Sequence, residues 1–261
     1  MSATETNRFA PGTFSPSPTV APRGRILAAQ AKIESLLFLR HGEQQLLSMV
    51  IPMGLLIGLS LVSGDTAERD INSIYPMALA IALMGAGFTG QAIAVAFDRR
   101  YGALKRIGAS GVPTWALIGG KIAAVTCVVI LQIIVLTVTA LILGLDLAPV
   151  GIPVGLVVAV AGVASFTSLG LFLGGTLSSE MVLALGNTLW FVLMGAAVFA
   201  TMAPTAPEWL VALPSVALMD AFHEASAFGQ INWVAFGVLV VWGVCGTLAT
   251  RRFFSFTMDS D

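Results

Sequence analysis

The sequence predicts an all-α integral membrane protein with six transmembrane helices, an N-terminal interfacial helix and a re-entrant last outer loop. Three observations lead to this fold class. Of the 261 residues, 57% are apolar and only 10% are charged, and the mean hydropathy is +0.91, whereas about a quarter of the residues of soluble domains are charged. Six apolar runs approach or exceed the roughly 20 residues that a helix needs to cross a bilayer. Basic residues flank these runs almost entirely on one side.

The chain before the first run divides into two segments. Residues 1–24 are rich in Ser, Thr and Pro and lack the basic-then-apolar pattern of a signal peptide, which predicts a disordered cytoplasmic tail. In residues 25–45, apolar positions recur at helical spacing among charged ones, as in a helix that lies in the membrane interface. A solvated cytoplasmic helix is the alternative. Residues 25–261 are expected to form a single transmembrane domain.

The six apolar runs are expected to be helical because a backbone in lipid must satisfy its hydrogen bonds internally. The predicted spans are residues 46–63, 73–97, 116–145, 153–177, 181–203 and 231–250. The connection between the fourth and fifth runs is very short, which predicts a tight hairpin. Glycine pairs at Gly54 and Gly58, and at Gly170 and Gly174, match the pattern of close helix contacts, and we expect them to pack helices within the chain.

The Lys and Arg residues predict the orientation of the spans. With the amino terminus in the cytoplasm, twelve of the thirteen Lys and Arg residues lie inside and only Arg69 lies outside, which agrees with the positive-inside rule. The outer connections carry acids instead, among them Asp65, Asp146 and Glu208. The sequence therefore predicts a multi-pass protein of the cell inner or plasma membrane with both termini in the cytoplasm.

The last outer connection, residues 204–230, is apolar rather than polar. Val216, Met219 and Phe222 recur every three residues, as on one face of a short helix. The segment is too short to span the bilayer, so we expect it to re-enter the outer leaflet; an amphipathic loop on the outer membrane face is the alternative. The residues expected to hold it in the membrane are Trp209, Leu213, Pro214 and Phe222.

One basic stretch, residues 98–121, separates the second and third runs. It holds five of the thirteen Lys and Arg residues and a single acid, Asp98. A charged turn leads into Gly-Ala-Leu-Lys-Arg at 102–106, then into a break rich in Gly, Ser and Pro, and finally into an aromatic residue and Gly119-Gly120-Lys121. This order resembles the cytoplasmic coupling segment of the type-2 ABC exporter permease family, and within it the drug-resistance exporters of the daunorubicin type. The family commonly has a Thr where this chain has Ala103.

The resemblance implies a membrane-spanning permease subunit that moves a drug-like or lipophilic substrate out of the cell. It implies three partners: a separate ABC ATPase that binds ATP and Mg, a second permease subunit that is identical or related, and membrane lipid. No nucleic-acid partner is expected. The residues that would couple the chain to the ATPase are Asp98, Arg99, Arg100, Tyr101, Gly102, Leu104, Lys105, Arg106, Pro113, Trp115 and Glu180.

The chemistry of the spans agrees with a subunit that has no energy source of its own. Polar residues within the runs are mostly neutral, such as Gln91, Gln132 and Asn187, whereas proton-coupled transporters and membrane hydrolases place ionisable groups at depth. Gly120-Lys121 lacks the surrounding pattern of a phosphate-binding loop. The two histidines of the chain lie far apart in the sequence. No metal site, cofactor or enzymatic activity is expected in this chain.

Two other functional classes remain open on the sequence. A non-transporting membrane scaffold or immunity protein needs no chemistry and fits the same composition. A membrane-embedded enzyme is the further alternative, and it would need polar residues that converge at one depth. Substrate-stimulated ATP hydrolysis with a partner ATPase distinguishes a permease from both.

The charge distribution generates a topology prediction. In a chain whose Cys127 and Cys245 are replaced by Ser, a Cys at Glu208 should react with an impermeant maleimide added to intact cells, because the positive-inside rule puts residues 204–230 outside. A Cys at Ser110 should react only after permeabilisation. The opposite labelling pattern would overturn the predicted topology.

Overall fold

The structure, a computed structural model, describes residues 21–40, 42–63, 70–103, 106, 109, 111–203 and 205–255. Within these ranges the fold is all-helical, as the sequence predicts, and it contains eight α-helices. They are α1 (Arg23–Arg40), α2 (Gly42–Ser63), α3 (Ile71–Arg100), α4 (Thr114–Ile142), α5 (Gly151–Thr176), α6 (Ser179–Met202), α7 (Pro214–Phe228) and α8 (Trp233–Phe253).

Five of the described helices are long and apolar enough to cross a membrane. They are α3, α5, α6, α8 and the part of α4 from Gly119 to Ile142, and they correspond to the predicted second to sixth spans with ends shifted by a few residues. The predicted first span lies in α2, whose apolar part, Ser48–Val62, is shorter. The chain is therefore a multi-pass membrane protein. The predicted first span, and with it the total of six, stays a prediction. The predicted tail lies outside the described residues as far as position 20.

The predicted interfacial segment, residues 25–45, is corrected at both ends. Helix α1 begins at Arg23, and the polar residues 42–45 belong to α2 because they continue into its apolar stretch as one helix. Helix α1 packs along the first turns of α4. It leaves Ile33, Leu36 and Leu37 about half exposed, an apolar face that suits a helix lying in the membrane interface.

Helix α3 is the centre of the bundle. Nearly every residue from Ile71 to Ala96 is buried, and the helix contacts α2, α4, α5, α6 and α7. Its middle, Gly85–Gly90, is π-helical. In the hydrophobic core, Met77 and Leu83 of α3 are fully buried together with Phe166 of α5 and Leu218 of α7. A helix that is apolar all round in this way is suited to the interior of a bundle.

Helix α5 approaches α3 through its glycines. A Cβ added at Gly170 would lie 2.6 Å from the carbonyl oxygen of Phe88, and one at Gly174 would overlap the carbonyl oxygen of Ala92. The expectation that this pair packs helices within the chain is confirmed. It is wrong for Gly54 and Gly58, where an added Cβ would meet nothing within 4 Å, because no described residue packs against the face of α2 that carries them.

The connection that is predicted to lie outside contains a short 3₁₀ turn, Glu208–Ala212, followed by α7. The predicted helical face is confirmed: Val216, Met219 and Phe222 are all buried. Helix α7 lies against α3, α5, α6 and α8. Helix α7 is therefore packed among the other helices of the bundle and is not a loop on its surface.

The contact between α3 and α5 generates a stability prediction. Gly174→Ala should lower the free energy of unfolding by about 1–3 kcal/mol, because the new methyl group forces two backbones apart in a packed interior. Gly195→Ala on α6 is the matched control, since an added Cβ there meets nothing within 4 Å. Thermal unfolding in detergent measures both, and equal transition temperatures for the two variants would contradict the close contact.

Candidate functional site

The basic stretch occupies the turn between α3 and α4, at the end of the bundle that is predicted to face the cytoplasm and is called the inner end here. Helix α3 ends where the Tyr101 amide donates to the Phe97 carbonyl at 2.9 Å, and the Tyr101 and Phe97 rings stack with centroids 5.9 Å apart. Gly102 and Gly111 have φ angles of +67° and +78°, a left-handed conformation that glycine adopts without strain. Of the predicted coupling residues, Leu104 and Lys105 lie outside the described part of the chain.

Three ionised side chains meet beside this turn. The Lys121 ammonium on α4 lies 2.7 Å from a carboxylate oxygen of Asp98 on α3 and 3.3 Å from one of Glu34 on α1. The Lys121 side chain is only 7% exposed. A cation with two carboxylate partners tolerates this burial because each group compensates the others. This ion cluster, Glu34, Asp98 and Lys121, therefore fixes α1 and both ends of the basic stretch to one another.

The α1 side of the cluster is held by close backbone packing. The Gln30 side-chain amide donates to Glu34 at 3.1 Å. A Cβ added at Gly120 would lie 2.7 Å from Gln30 Cγ, so α1 reaches α4 where two successive glycines remove the side chains between them. The Asp98 carboxylate, which the sequence predicts as part of the coupling site, binds Lys121 within the chain.

Arg99, which the sequence predicts as a coupling residue, bonds to carbonyls within the chain. Its side chain is buried, and its guanidinium donates to the carbonyl of Gly174 at 2.8 Å and to that of Leu177 at 2.9 Å. The last carbonyls of a helix lack amide donors within the helix, and a cation at that position compensates them. Arg99 therefore caps α5.

Arg100 joins the basic stretch to the short turn between α5 and α6. Its guanidinium donates to the Ser179 hydroxyl at 2.9 Å and forms an ion pair with Glu180. The turn itself is tight because Ser178 caps α6, accepting from the Met181 amide at 3.4 Å. Arg100 and Glu180 are both largely exposed. The two inner connections predicted separately from the sequence thus form one surface.

The exposed part of this surface combines aromatic and basic side chains. Tyr101 is 66% exposed and Trp115 is 44% exposed. Arg106 is also exposed, and its guanidinium donates to the Tyr101 carbonyl at 3.0 Å. Pro113 precedes the first turn of α4 and is half-buried. Aromatic residues and Arg are enriched in protein interfaces, so this inner surface, residues 100–103 and 106 with Trp115 and Glu180, suits the docking of another subunit.

The residues of the last outer connection lie elsewhere, at the opposite end of the bundle. Phe222 and Pro214 are buried and Leu213 is half-buried, but Trp209 is 67% exposed. The Ala148 amide donates to the Ser226 carbonyl at 3.0 Å, which ties α7 to the connection between α4 and α5.

Sequence reasoning missed three residues that organise the inner end: Glu34, Lys121 and Ser179. The sequence did contain an indication for Lys121, because a Lys that follows two glycines at the start of an apolar run requires a compensating partner. Glu34 and Ser179 carried none, since their partners lie 87 and 79 residues away in the chain. In the part of the chain that the structure describes, no group of three or more His, Cys, Asp or Glu residues could hold a metal ion.

The ion cluster generates a prediction about stability. Lys121→Met should lower the free energy of unfolding by about 3 kcal/mol, because it leaves two carboxylates without their cation; one of them, Asp98, is partly exposed, which keeps the loss at the lower end of the range for a broken buried pair. Adding Glu34→Gln and Asp98→Asn to Lys121→Met should restore much of the lost free energy of unfolding. Arg100→Ala, at an exposed pair, should cost only about 0–1 kcal/mol.

Thermal unfolding in detergent measures all of these variants on one scale. A Lys121→Met protein as stable as Arg100→Ala would show that the ion cluster contributes nothing. Failure of the triple variant to recover stability would assign the loss to packing of the Lys121 stem instead of to its charge.

Comparison with known proteins assigns the family. The model of the family described as ABC-2 family transporter protein matches residues 57–251. No curated protein sequence and no solved structure matches the chain. The matched region covers most of the chain, from α2 through α8, and includes the entire inner surface. The chain therefore belongs to the ABC-2 family, as a membrane permease component of an ABC-2 type transporter.

Proposed function

We propose that this permease is the membrane subunit of an exporter driven by a separate ATPase, and that the inner surface is where the ATPase docks. The observation that carries the proposal is the joining of the basic stretch to the turn between α5 and α6 through Arg100 and Glu180. ATP and Mg bind to the ATPase in this proposal, and both termini of the permease lie in the cytoplasm beside it.

The contacts that attach the inner surface to the helices support a coupling role. A surface that transmits movement must connect to the spans without slack. Arg99 fixes the end of α3 to the end of α5, and the ion cluster fixes α1, α3 and α4 to one another. A displacement of the inner surface therefore reaches four helices at once, whereas a turn held by exposed cations alone would absorb it.

The buried polar residues of the spans support an external energy source. Gln91, Gln132 and Thr167 are buried between helices, and their neutral side chains do not exchange protons near neutral pH. The buried charged side chains among the described residues, Arg99 and Lys121, lie at the inner end and are occupied by structural contacts. We therefore assign the energy to ATP hydrolysis by the partner.

The exposed face of α6 supports a second permease subunit. Asn187 and Thr188 are exposed on this helix, within an otherwise apolar span. A side-chain amide that faces hydrocarbon is costly, and in membrane proteins such groups face another helix or a polar pathway. We propose that this face meets an identical or related permease and that the substrate passes between the two.

Helix α7 would close the outer end of that pathway. Its buried face, with Phe222 and Val216, lies against α3, α5 and α6, so we propose that residues 204–230 re-enter the outer leaflet. Trp209, which is exposed, would lie at the membrane interface, a position that Trp favours. A drug-like or lipophilic substrate and outward transport follow from the resemblance to daunorubicin-type exporters.

The coupling role generates a prediction for the assembled transporter. Arg100→Glu combined with Arg106→Glu should leave the permease folded and membrane-inserted, because both side chains are exposed. It should abolish the stimulation of partner ATP hydrolysis by daunorubicin, since the inner surface no longer complements the ATPase. The measurement is ATPase activity of the complex reconstituted in vesicles, with and without the drug.

The matched control is Arg251→Glu combined with Arg252→Glu, two exposed cations in the last turn of α8 that are not part of the basic stretch. This control should keep its stimulation. Stimulation retained in the Arg100 and Arg106 variant would place the docking surface elsewhere. Absence of any ATPase that co-purifies with the unaltered permease would favour the membrane scaffold.

A further inference from the structure

A groove opens between α4 and α5 in the outer half of the bundle, and no role has been assigned to it so far. Its volume is about 350 Å³, within the range of about 300–1,000 Å³ for small-molecule pockets. Tyr75 and Leu79 of α3 and Phe222 of α7 line it together with facing residues of α4 and α5. The groove lies where α4 and α5 both flank the first half of α3.

The groove opens toward the lipid side of the bundle. Four aliphatic residues that line it, Ile134, Val138, Ile152 and Leu156, are each about half exposed. In a bilayer, exposed aliphatic residues of a span contact hydrocarbon. The lining of the groove is therefore continuous with the surface that touches membrane lipid, and a lipid chain can enter without crossing a polar barrier.

The lining needs no polar group from an occupant. The Tyr75 and Thr137 hydroxyls lie 2.7 Å apart and bond to each other. The Ser226 hydroxyl donates to the His223 carbonyl at 3.2 Å. Because the polar side chains in the lining satisfy each other or the backbone, an apolar chain fills the groove without leaving a buried polar atom unpaired.

The outer rim of the groove carries negative charge. Asn72, one helical turn before Tyr75, accepts from the Asp146 amide at 3.1 Å and donates to the Asp70 carboxylate. Both carboxylates are exposed. Asp146 is next to Leu147, which lines the groove. A rim of this charge favours a headgroup with a positive amine over an anionic one.

We propose that this groove binds one acyl chain of a membrane phospholipid whose headgroup carries an amine. The chain lies between α4 and α5 and ends against Phe222, so the site joins the surrounding lipid to α7. The proposal depends on the chain being embedded in a bilayer and is independent of any ATPase. It goes beyond the proposed transport function, which assigns no lipid to a defined position.

Gly155 provides a sharp test, since it lines the groove and an added Cβ meets nothing within 4 Å. Gly155→Phe should therefore fill the groove without disturbing the helix. Gly237→Phe on α8 is the matched control, because it too has open space and is exposed but lies outside the groove. The full chain is reconstituted in vesicles with phosphatidylethanolamine that carries a diazirine in its acyl chain, and adducts are mapped by mass spectrometry after irradiation.

We expect adducts concentrated on the groove-facing residues of α4 and α5, reduced at least fivefold by Gly155→Phe and unchanged by Gly237→Phe. Unlabelled phosphatidylethanolamine should compete at least threefold better than phosphatidylglycerol. Adducts spread evenly over the exposed faces of α4, α6 and α8, or unchanged adducts in Gly155→Phe, would overturn the site. Equal competition by the two lipids would overturn the headgroup assignment.

A second measurement covers the case in which Gly155→Phe does not fold. Phosphatidylethanolamine added to the detergent-purified protein should raise its transition temperature, and Ile134→Ser combined with Ile152→Ser should weaken that shift. Val240→Ser combined with Val244→Ser on the exposed face of α8 is the control and should keep it. Equal shifts in both variants would contradict a defined site.

Discussion

The close contact between α3 and α5 is the constraint on which the rest of the bundle depends. At Gly170 and Gly174 the backbone of α5 lies directly on carbonyls of α3, with no room for a side chain. In lipid, helices gain little from hiding apolar surface, so close van der Waals packing through small residues holds them together. Because this contact buries α3, the other helices are arranged around α3. The π-helical turn of α3, Gly85–Gly90, lies in the same interface with α5.

The inner end of the molecule follows from this contact. Arg99 follows Ala92 by two helical turns on α3, and the approach of α5 brings the Gly174 and Leu177 carbonyls to its guanidinium. The next residue, Arg100, then reaches the start of α6. The two adjacent cations therefore differ in role. Arg99 is buried and structural, whereas Arg100 is exposed and available to a partner. The ion cluster adds α1 and α4 to this unit.

The outer end of the molecule depends on the same helices, but there they leave a groove instead of being tied together. Helix α5 stays on the core there, because Gly151 lets it approach the Ala225 carbonyl of α7, while α4 packs on α3 and leaves a groove beside α5. The bundle is therefore tied together where the ATPase is proposed to act and is open to lipid at the opposite end.

The sequence by itself determined the class of protein, most of the helices and the surface of interest. Apolar length and charge are local properties, so five spans, the helical face of α7 and the exposure of Tyr101, Trp115 and Arg106 could be read from it. It did not reveal that Arg99 is buried, that Asp98 points inward to Lys121, or that Gly54 and Gly58 have no neighbour among the described residues. Those facts depend on residues distant in the chain, and hydropathy and charge carry no information about which helices become neighbours. Only the tertiary structure decided them, because the packing of α5 on α3 determines which polar groups meet.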